Sequence, residues 1–415
     1  MRQSKRGRPE PLSCRNPYVN HVLQPLLAYI LPQHSFETII VMEDLSYVGM
    51  DIFIVGGGPA GLLAAAKLSE AGFRVTLFEE HVKVGFPEHC TGIVRDDFIR
   101  LTGYSELESV VLGKYTGGYV SLELGDELHR INVGSIKAVM INRPLYERLL
   151  FEYAQNVGAR ILLGKFANIV KMNGSCVVKH GNQLFKPDLI IGARGPRANP
   201  NLKVIPGLQA YVTYPKMLES DSLYVSFSSR FADFFGWVAP YGEGVTAKVG
   251  VASANRDLRG SLSELGKSFL GLQFKVNTYF GGLVVIGANE FVPSVGGSNY
   301  IPIGDEAGLV KPLTGGGLDL GLMGVKKMVE DVCRSGTELG EYRRWLRRSR
   351  LRLFEAQIFK DVIFSPLRVN KILLGRLLKS PHLGNALKQA DFDDHVGVAF
   401  KLLPIILRSS VEGLL

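Results

Sequence analysis

Hydrophobic and polar positions follow a distinct rhythm early in the chain. Residues 52–55 form a short apolar run, which is typical of a buried strand. The run stops at Gly56, and a segment rich in alanine and leucine follows as far as Gly72, which predicts a helix. A second apolar run at 75–78 ends at Glu79. We therefore predict a strand–helix–strand unit, the repeating element of a parallel α/β sheet.

Further segments continue this layer. A helical pattern begins at Asn142, has a proline in its first turn and stops near Gly158, and a strand follows at 160–163. Residues 187–193 read as a buried strand that ends in glycine, and residues 300–305 return to the same pattern. We expect these segments to join the first strands in one sheet.

The rhythm changes between about residues 201 and 294. Residues 223–227 and 246–251 alternate between polar and apolar positions, and the region is rich in aromatic residues, glycine and serine. This pattern predicts an antiparallel sheet. Residues 341–415 have a helical pattern that is interrupted at positions 366, 381 and 404 by prolines.

The composition is that of a large globular protein. The chain has 415 residues, 46% hydrophobic and 21% charged, which is enough for two or three domains. No apolar run reaches the roughly 20 residues that cross a bilayer. The four cysteines lie far apart and no pair has zinc-like spacing, so we predict no metal site and a cytoplasmic location.

The formal net charge of +9 indicates an anionic partner. The basic residues gather at the two ends, in residues 2–8 and in six arginines between 343 and 352. They are not interleaved with aromatic residues in a recognisable module, so we predict no nucleic-acid partner. An anionic lipid surface is the better candidate and would place the protein peripherally on the inner face of the cell membrane. The alternative is that these arginines form an ordinary solvated helix face.

The first 49 residues have no clear periodicity. A basic start and a short apolar run imitate a signal peptide, but no small-residue cleavage site follows. Met42 and Met50 are both in frame, and Met50 directly precedes the first strand. We expect the natural start at one of these two residues, with residues 1–49 as a non-native extension. N-terminal mass spectrometry that found residues before Met42 would contradict this.

The turn after the first strand has the spacing Gly-x-Gly-x-x-Gly. Gly56 allows the tight turn, Gly58 lets the backbone approach a pyrophosphate, and Gly61 lets helix and strand pack closely. Unpaired N–H groups at the start of the helix, near Ala60, would face the phosphates. Glu79 lies about 20 residues on, where an acid binds ribose. We predict that these five residues hold a dinucleotide.

A second glycine-rich segment spans residues 304–318. A strand ends at Asp305, a proline loop follows, and glycines open a helix. The Asp305 carboxylate could accept hydrogen bonds from sugar-like hydroxyls of a cofactor chain. The helix start at Gly316, Gly317 and Leu318 would face a group that gains negative charge, such as a reduced flavin ring.

With these motifs the chain resembles the FAD-dependent geranylgeranyl reductase family (digeranylgeranylglycerophospholipid reductase-like), within the wider para-hydroxybenzoate hydroxylase fold group. The resemblance extends from about Met50 to the helix after Gly317. It implies that the first glycine motif and its acid bind the ADP half of FAD, and that the second motif binds the ribityl and flavin half. It also implies that Arg143 contacts the cofactor and that backbone at Ala167 brackets the adenine.

The loop at residues 85–93 sharpens the resemblance. It matches the family loop that carries a cysteine and a glycine near the flavin, which implies cofactor contact at Cys90, Thr91 and Gly92. A catalytic role for Cys90 is implied as well. The alternative is that Cys90 is a small buried side chain that only contributes to packing.

The aromatic stretch at residues 235–240 matches the family motif that lines the prenyl tunnel, which implies that Trp237 lines the substrate tunnel. Aromatic faces attract positive charge and would suit a cation-like state of the substrate. Ordinary packing of a sheet is the alternative for much of this set. Further candidates for such a wall are Phe231, Phe234, Phe235, Tyr241, Tyr279 and Phe280.

Two positions near the predicted cofactor site depart from the family pattern, and a third, Ala239, replaces the usual aromatic residue before the proline of the tunnel motif. Arg194 stands where the wider fold usually has aspartate, and Glu306 replaces a small residue beside Asp305. These departures put the local cofactor contact in doubt. They also motivate a third hypothesis below, in which the protein binds flavin without catalysing a reaction.

We therefore predict an α/β fold (α+β overall) with three parts. A Rossmann-like FAD-binding domain is interrupted by an inserted antiparallel β-sheet substrate domain and followed by a C-terminal helical region. The predicted boundaries are 50–112, 135–200 and 295–335 for the FAD-binding domain, 113–134 and 201–294 for the substrate domain, and 336–415 for the helical region.

The resemblance implies an FAD-dependent oxidoreductase that saturates C=C bonds of geranylgeranyl chains in a prenyl lipid, an archaeal-type membrane ether lipid. An isolated alkene has no neighbouring carbonyl to spread charge, so a hydride from reduced flavin must be paired with a proton on the other carbon. Such chemistry favours a dry, aromatic site. The electron donor stays open between NAD(P)H and ferredoxin.

Two other functions use the same fold. A flavin-dependent halogenase usually has tryptophan where this chain has Phe235, and a monooxygenase would use the Asp-Gly pair that Arg194 disrupts. The other alternative is a non-catalytic flavoprotein or lipid-binding module, which Arg194 and Glu306 motivate.

Overall fold

A computed structural model describes most of the chain between residues 49 and 369. The expectations for the N-terminal start, for Phe231 and for residues 370–415 lie outside the described residues. The described ranges are 49–124, 127–132, 136–215, 218–228, 234–254, 257–270, 274–292 and 297–369.

The described strands and helices are numbered in chain order. The strands are β1 (Asp51–Val55), β2 (Arg74–Phe78), β3 (Ile93–Arg95), β4 (Val111–Tyr115), β5 (Gly117–Leu124), β6 (Glu127–Asn132), β7 (Ala138–Ile141), β8 (Arg160–Leu162), β9 (Asn168–Met172), β10 (Ser175–His180), β11 (Gln183–Phe185), β12 (Leu189–Gly192), β13 (Leu202–Thr213), β14 (Ser222–Phe227), β15 (Gly236–Tyr241), β16 (Thr246–Ala252), β17 (Lys275–Ala288) and β18 (Tyr300–Pro302). The helices are α1 (Pro59–Glu70), α2 (Phe98–Thr102), α3 (Arg143–Asn156), α4 (Leu258–Leu270), α5 (Leu318–Ser335) and α6 (Gly340–Val369).

The first layer is a parallel five-stranded sheet in the order β18-β12-β1-β2-β8. The apolar runs that indicated strands are these strands, and β12 is buried along its whole length. Helix α1 packs its leucines and alanines between α3 and α5, which explains why its sequence lacks a polar face. The predicted Rossmann-like α/β layer is confirmed.

The second layer is a seven-stranded sheet in the order β17-β13-β16-β15-β14-β5-β6. Its pairs are antiparallel except for β14 with β5, which run parallel. The expectation of a wholly antiparallel sheet was therefore wrong at this pair. The reason is topological: β5 comes from an early segment, and a parallel partner needs a long connection of the kind that here runs through the first layer.

A small sheet in the order β3-β7-β4 lies against the second layer. Tyr115 and Met140 from this sheet are buried together with Ala239 of β15, and the Tyr115 hydroxyl donates to the Pro240 carbonyl oxygen over 2.8 Å. Because β3 follows directly on the loop at residues 85–92, this packing fixes the end of that loop. Another three-stranded sheet, β11-β10-β9, packs on the far side of the first layer through Val178.

Helix α6 forms the last described element. Tyr342 and Leu346 are buried, and the Tyr342 hydroxyl donates to the Pro302 carbonyl oxygen over 3.0 Å, so the helix is anchored to the first layer. Arg344, Arg348 and other arginines of the same helix are exposed. In the described part of the chain, no helix combines the length and the apolar character that crossing a membrane requires.

Candidate cofactor and substrate site

The first glycine turn leaves no room for side chains at two of its positions. Gly56 has a φ angle of 110°, and a Cβ atom there would collide with the Ala193 carbonyl. A Cβ on Gly61 would collide with the Gly56 carbonyl. Strand β1, the turn and helix α1 are therefore packed as closely as the spacing predicted.

Gly58 is different, because it faces open space. Its backbone is extended, with φ −74° and ψ −178°, and it caps the start of α1. No heavy atom of the described residues lies within 4 Å of a Cβ placed there. The first N–H groups of any helix lack partners within the helix. Gly58 and the start of α1 thus form a cradle that can receive an anionic group.

Glu79 ties the end of β2 to this turn. Its Oε2 accepts from the Gly57 N–H over 2.6 Å, and its Oε1 accepts from the His81 N–H over 2.8 Å and lies 2.6 Å from His81 Nδ1. A carboxylate has lone pairs beyond these contacts. The residue expected to bind ribose therefore also holds the glycine turn in shape.

The second glycine motif lies beside the first. A Cβ on Gly304 would lie 3.0 Å from the Cβ of Ala60, and a Cβ on Gly317 would lie 2.7 Å from the Asp305 carboxylate. The Asp305 side chain thus sits at the start of α5, which Leu318 begins. Burial raises the pKa of Asp305, and the Arg143 charge offsets part of that shift.

Arg143 connects this carboxylate to the loop at residues 85–92. A Cβ on Gly92 would lie 3.1 Å from Arg143 Cγ, and the Arg143 guanidinium pairs with Glu147 over 2.5 Å. Burial alone would lower the pKa of Arg143, but Glu147 and Cys90 raise it, and the net shift is upward. Arg143 therefore carries a permanent positive charge in the space between Asp305 and the loop at residues 85–92. This space is the cleft of the first layer.

Two buried polar atoms near the start of α3 are candidates for cofactor contacts. Among the described residues, neither Arg143 Nε nor the Tyr146 hydroxyl has a hydrogen-bond partner. Leaving a buried donor unpaired costs about 1–3 kcal/mol. These atoms, the open space at Gly58 and the abutting glycine motifs fit an extended, anionic dinucleotide such as FAD.

We expect Asp305→Asn to stabilise the cofactor-free protein at neutral pH. The folded-state pKa of Asp305 is raised, so its contribution to stability is present below its unfolded pKa and is lost as the pH rises through the folded pKa. Asparagine does not ionise, so this loss of stability disappears. Its amide oxygen is, however, a weaker hydrogen-bond acceptor for cofactor hydroxyls than a carboxylate. Thermal unfolding against pH with FAD titration should show higher stability and lower FAD affinity. Unchanged FAD affinity would separate Asp305 from the cofactor.

The loop at residues 85–92 is fastened to the second layer through Thr91. The Trp237 indole N–H donates to Thr91 Oγ1 over 2.7 Å, and Thr91 donates to Gln209 Oε1 over 2.5 Å. The Gln209 amide in turn donates to the His89 carbonyl oxygen over 3.0 Å. Trp237 and Thr91, which the sequence placed in separate motifs, are in contact, and Gln209 was missed because no local pattern marks it.

Cys90 is half-buried in the middle of this loop. The Gly92 N–H donates to Cys90 Sγ over 3.4 Å. Cys90 interacts electrostatically with both Arg143 and Lys248. The thiol therefore lies where the cleft of the first layer meets the second layer.

A buried ion pair, absent from the sequence predictions, lies beside Cys90. Lys248 of β16 is fully buried, and its Nζ donates to Glu88 Oε1 over 2.8 Å and to the Thr91 carbonyl oxygen over 3.1 Å. The Tyr211 hydroxyl donates to Glu88 Oε2 over 2.7 Å. The sequence signal was a lysine within an apolar strand, which is rarely buried without a partner.

Part of the predicted aromatic wall is present. Phe234 and Phe235 stack with ring centroids 4.1 Å apart, and Trp237 meets Phe235 edge-on at 5.8 Å. A Cβ on Gly315 would lie 3.2 Å from the Phe234 ring and 2.7 Å from Val284, so this cluster borders the second glycine motif.

The other described aromatic candidates lie elsewhere. Tyr279 is 44% exposed, and Tyr241 packs with the cluster around Tyr115. Phe280 pairs with Tyr211 at 5.1 Å, next to Lys248. The aromatic cluster around Trp237 therefore contains fewer residues than the aromatic content of the region had indicated.

The two departures from the family pattern near the predicted cofactor site contact each other. Arg194 donates to Glu306 through its backbone N–H, Nε and one terminal nitrogen, over 2.8, 3.1 and 2.5 Å. The Tyr300 hydroxyl also donates to Glu306, and Asn199 binds the Glu306 carbonyl oxygen. The Glu306 side chain is only 2% exposed. The two changes form one ion pair beside the glycine turn.

The remaining predicted residues have less specific surroundings. Ala167 is buried with Val55 and Phe78 and lies just before β9. The Gly316 N–H faces Thr314 Oγ1 at 3.4 Å, and its carbonyl oxygen accepts from Lys311. Within the ranges listed for the fold, no cluster of three or more His, Cys, Asp or Glu residues is arranged to hold a metal ion.

Comparison with known proteins agrees with this geometry. A family model described as an NAD(P)-binding Rossmann-like domain matches residues 54–99. Digeranylgeranylglycerophospholipid reductase 2 of Methanothermobacter thermautotrophicus is 28% identical over 347 residues, 78% of this chain and 88% of the relative. Geranylgeranyl diphosphate reductase of Rhodobacter capsulatus is 27% identical over 288 residues, 65% of this chain and 71% of the relative.

Solved structures share the fold. A geranylgeranyl bacteriochlorophyll reductase-like protein from Thermoplasma acidophilum superposes with a TM-score of 0.69 at 18% identity, covering 88% of this chain and 99% of that one. A flavin-dependent brominase superposes with a TM-score of 0.58 at 14% identity, covering 87% of this chain and 99% of that one.

The Rossmann-like nucleotide-binding domain and the curated relatives named as reductases support an FAD-dependent oxidoreductase, and the solved structures show the shared fold. Within that class, the chain is a relative of the geranylgeranyl reductases, and the resemblance indicated by its motifs is confirmed.

Proposed function

We propose that this protein reduces C=C bonds in geranylgeranyl chains of a prenyl lipid, with archaeal-type membrane ether lipid as the substrate. The curated relatives named as reductases of such lipids support the substrate class. Bound FAD, once reduced, would supply the hydride. The residues of this chain would bind the cofactor, exclude water and hold the proton.

One observation carries the proposal. Three segments meet at one place: the loop with Cys90 and Thr91, the aromatic cluster with Trp237, and the second glycine motif at Gly315. A cysteine thiol and aromatic faces then border the part of the cleft assigned to the flavin. An isolated alkene needs a proton donor and a surface that tolerates positive charge, and this junction offers both.

We assign the proton donation to the Cys90 thiol. Glu88 already pairs with Lys248, and the exposed His89 places its Nδ1 2.9 Å from the Gly281 carbonyl oxygen. Cys90 follows both residues in the loop and directly precedes Thr91, which contacts Trp237. Electrons for the flavin would come from NAD(P)H or a ferredoxin. The exposed arginines of α6 would hold the protein peripherally on an anionic membrane.

The non-catalytic alternative loses its motive. This alternative assumed that Arg194 and Glu306 disturb the cofactor site. In the structure, their side chains instead form an ion pair with each other. The halogenase alternative rests on the shared fold, and the brominase and halogenase structures are 14–16% identical to this chain, which shows the fold alone.

The function is tested by anaerobic turnover. The protein is loaded with FAD, the flavin is reduced with dithionite, and unsaturated archaeal-type ether lipid in detergent is added. We expect flavin reoxidation together with lipid mass gains of two hydrogens per step. Saturated lipid is the control. Absence of any mass gain across several prenyl lipids would refute the function. In a separate aerobic assay with reductant, oxygen uptake without lipid would favour a monooxygenase.

We expect Trp237→Phe to lower the rate of lipid reduction about tenfold while FAD affinity stays unchanged. Phenylalanine keeps an aromatic face but loses the hydrogen bond to Thr91, which is worth about 0.5–1.5 kcal/mol. The loop that carries Cys90 is then less well positioned. Stopped-flow reoxidation of the reduced flavin measures the effect. Phe227→Leu is the matched control, because the Phe227 ring lies 5.7 Å from the Phe235 ring and the substitution leaves the hydrogen bond between Trp237 and Thr91 in place.

A further inference from the structure

Lys248 is an unusual residue for the middle of a sheet. It lies in β16 between Ala247 and Val249, and all three side chains are buried. Its partner Glu88 comes from the loop at residues 85–92, and the side-chain exposures of Lys248 and Glu88 are 0% and 8%. The pair therefore joins the second layer to the loop that carries Cys90.

Stability does not explain this pair. Removing two charges from water costs several kcal/mol per ion, and apolar replacements of a buried pair are often neutral or stabilising. A strand position between two apolar residues would normally hold an aliphatic side chain. A charged pair at this place therefore points to a role beyond holding the fold.

The pair belongs to a continuous chain of hydrogen bonds. The Tyr211 hydroxyl donates to Glu88 Oε2 over 2.7 Å, and Lys248 Nζ donates to Glu88 Oε1 over 2.8 Å. Lys248 Nζ also lies 4.9 Å from the centre of the Tyr211 ring and 5.6 Å from that of Phe280, whose faces stabilise a cation. Tyr211 is half-buried, so the chain leads from the interior towards the surface.

The inner end of this chain reaches the backbone beside Cys90. Lys248 Nζ is 3.1 Å from the carbonyl oxygen of Thr91, the residue next to Cys90. Burial lowers the pKa of Lys248, Glu88 and Cys90 raise it, and Arg143 lowers it further, with a net downward shift. A lysine with a lowered pKa gives up a proton more readily than a free one.

We propose that Tyr211, Glu88 and Lys248 form a proton relay that returns a proton to Cys90 after each reduction of a double bond. The relay rests on the proposed function. In the reduction, the Cys90 S–H bond breaks and a C–H bond forms on the alkene carbon that does not receive the hydride, which leaves a thiolate. An N–H bond of the Lys248 ammonium then breaks and the S–H bond forms again. A solvent proton, passed through Tyr211 and Glu88, restores the ammonium.

The experiment compares the first turnover with later ones in FAD-loaded Lys248→Met. In this scheme the first proton comes from the Cys90 S–H bond and needs no reloading, so the first anaerobic flavin reoxidation should keep a rate close to that of the unmodified protein. The steady-state rate with excess reductant should fall about 100-fold, the lower end of the range for a lost acid–base group. Lipid products should accumulate with a gain of two hydrogens and little further reduction. Equal losses in both phases, or no loss in either, would overturn the relay.

A double variant provides the same test if Lys248→Met folds poorly. Glu88→Gln with Lys248→Met removes both charges, and its thermal midpoint and FAD stoichiometry should match the unmodified protein. The relay still predicts a normal first turnover and slow later turnovers. A purely structural role predicts that recovered stability brings recovered steady-state turnover, which would overturn the relay.

The pH profile gives an independent readout. Relay through Lys248 requires the ammonium, so the steady-state rate should fall as the pH rises through the lowered pKa, and this fall should be absent in Lys248→Met. The charged and titratable groups that face Lys248 are Glu88, Cys90, Arg143 and Tyr211. An alkaline fall that persists in the variant would contradict the relay. Absence of lipid mass gain in the unmodified protein would refute the proposed function instead.

Discussion

Gly58→Ala should weaken FAD binding roughly 5- to 150-fold while the cofactor-free protein keeps its stability. The Gly58 backbone is extended at φ −74°, which alanine adopts without strain, and the space around its missing Cβ is open. If a pyrophosphate occupies that space, an added methyl group overpacks the site, which costs about 1–3 kcal/mol. FAD titration followed by flavin fluorescence, together with thermal unfolding of the cofactor-free protein, measures both effects.

Gly340→Ala is the matched control for this prediction. Gly340 begins α6, and a Cβ there also meets no heavy atom of the described chain within 4 Å. The control should bind FAD with unchanged affinity. Normal FAD affinity in Gly58→Ala would mean that the cofactor does not approach this turn, and the assignment of the first glycine motif would fail.

Arg194→Met should destabilise the protein by about 3–5 kcal/mol, because it leaves the buried Glu306 carboxylate without its cation. The Tyr300 hydroxyl and the Arg194 backbone N–H still donate to Glu306, but neither carries a charge. Urea unfolding, followed by intrinsic fluorescence, measures the loss.

The double variant Arg194→Met with Glu306→Gln should recover most of that stability. Glutamine keeps the acceptor for the Tyr300 hydroxyl without a buried charge. If the single variant were as stable as the unmodified protein, the ion pair would contribute nothing to the free energy of unfolding, and the two departures would be unrelated. If the double variant bound FAD normally, the pair would be a structural replacement for the fold's usual aspartate.

The glycine motifs and the parallel layer could be predicted from sequence because they depend on local constraints. A positive φ at Gly56 and the close contact between Gly61 and the turn are requirements of a few neighbouring residues. Continuous apolar runs likewise indicated β1 and β12. Such features are readable in a single chain without knowledge of its partners.

The contacts across the layers could not be predicted in the same way. Lys248 and Glu88 are 160 residues apart, and Arg194 and Glu306 are 112 apart. No periodicity links such pairs. The buried Lys248 was therefore overlooked, and the ion pair of Arg194 and Glu306 was interpreted as two separate departures from the family pattern. The parallel pairing of β5 with β14 was missed for the same reason, since only the completed topology brings them together.

The central claim is that one FAD molecule extends across both glycine motifs, and a titration of cofactor-free protein tests it most directly. Calorimetry with FAD, FMN, ADP and NADPH compares the whole molecule with its parts and with the nicotinamide alternative. We predict one FAD per chain, with affinity far above that of FMN or ADP, because only FAD reaches both Gly58 and Gly317. Failure to bind FAD, or FMN binding as tightly as FAD, would contradict the account.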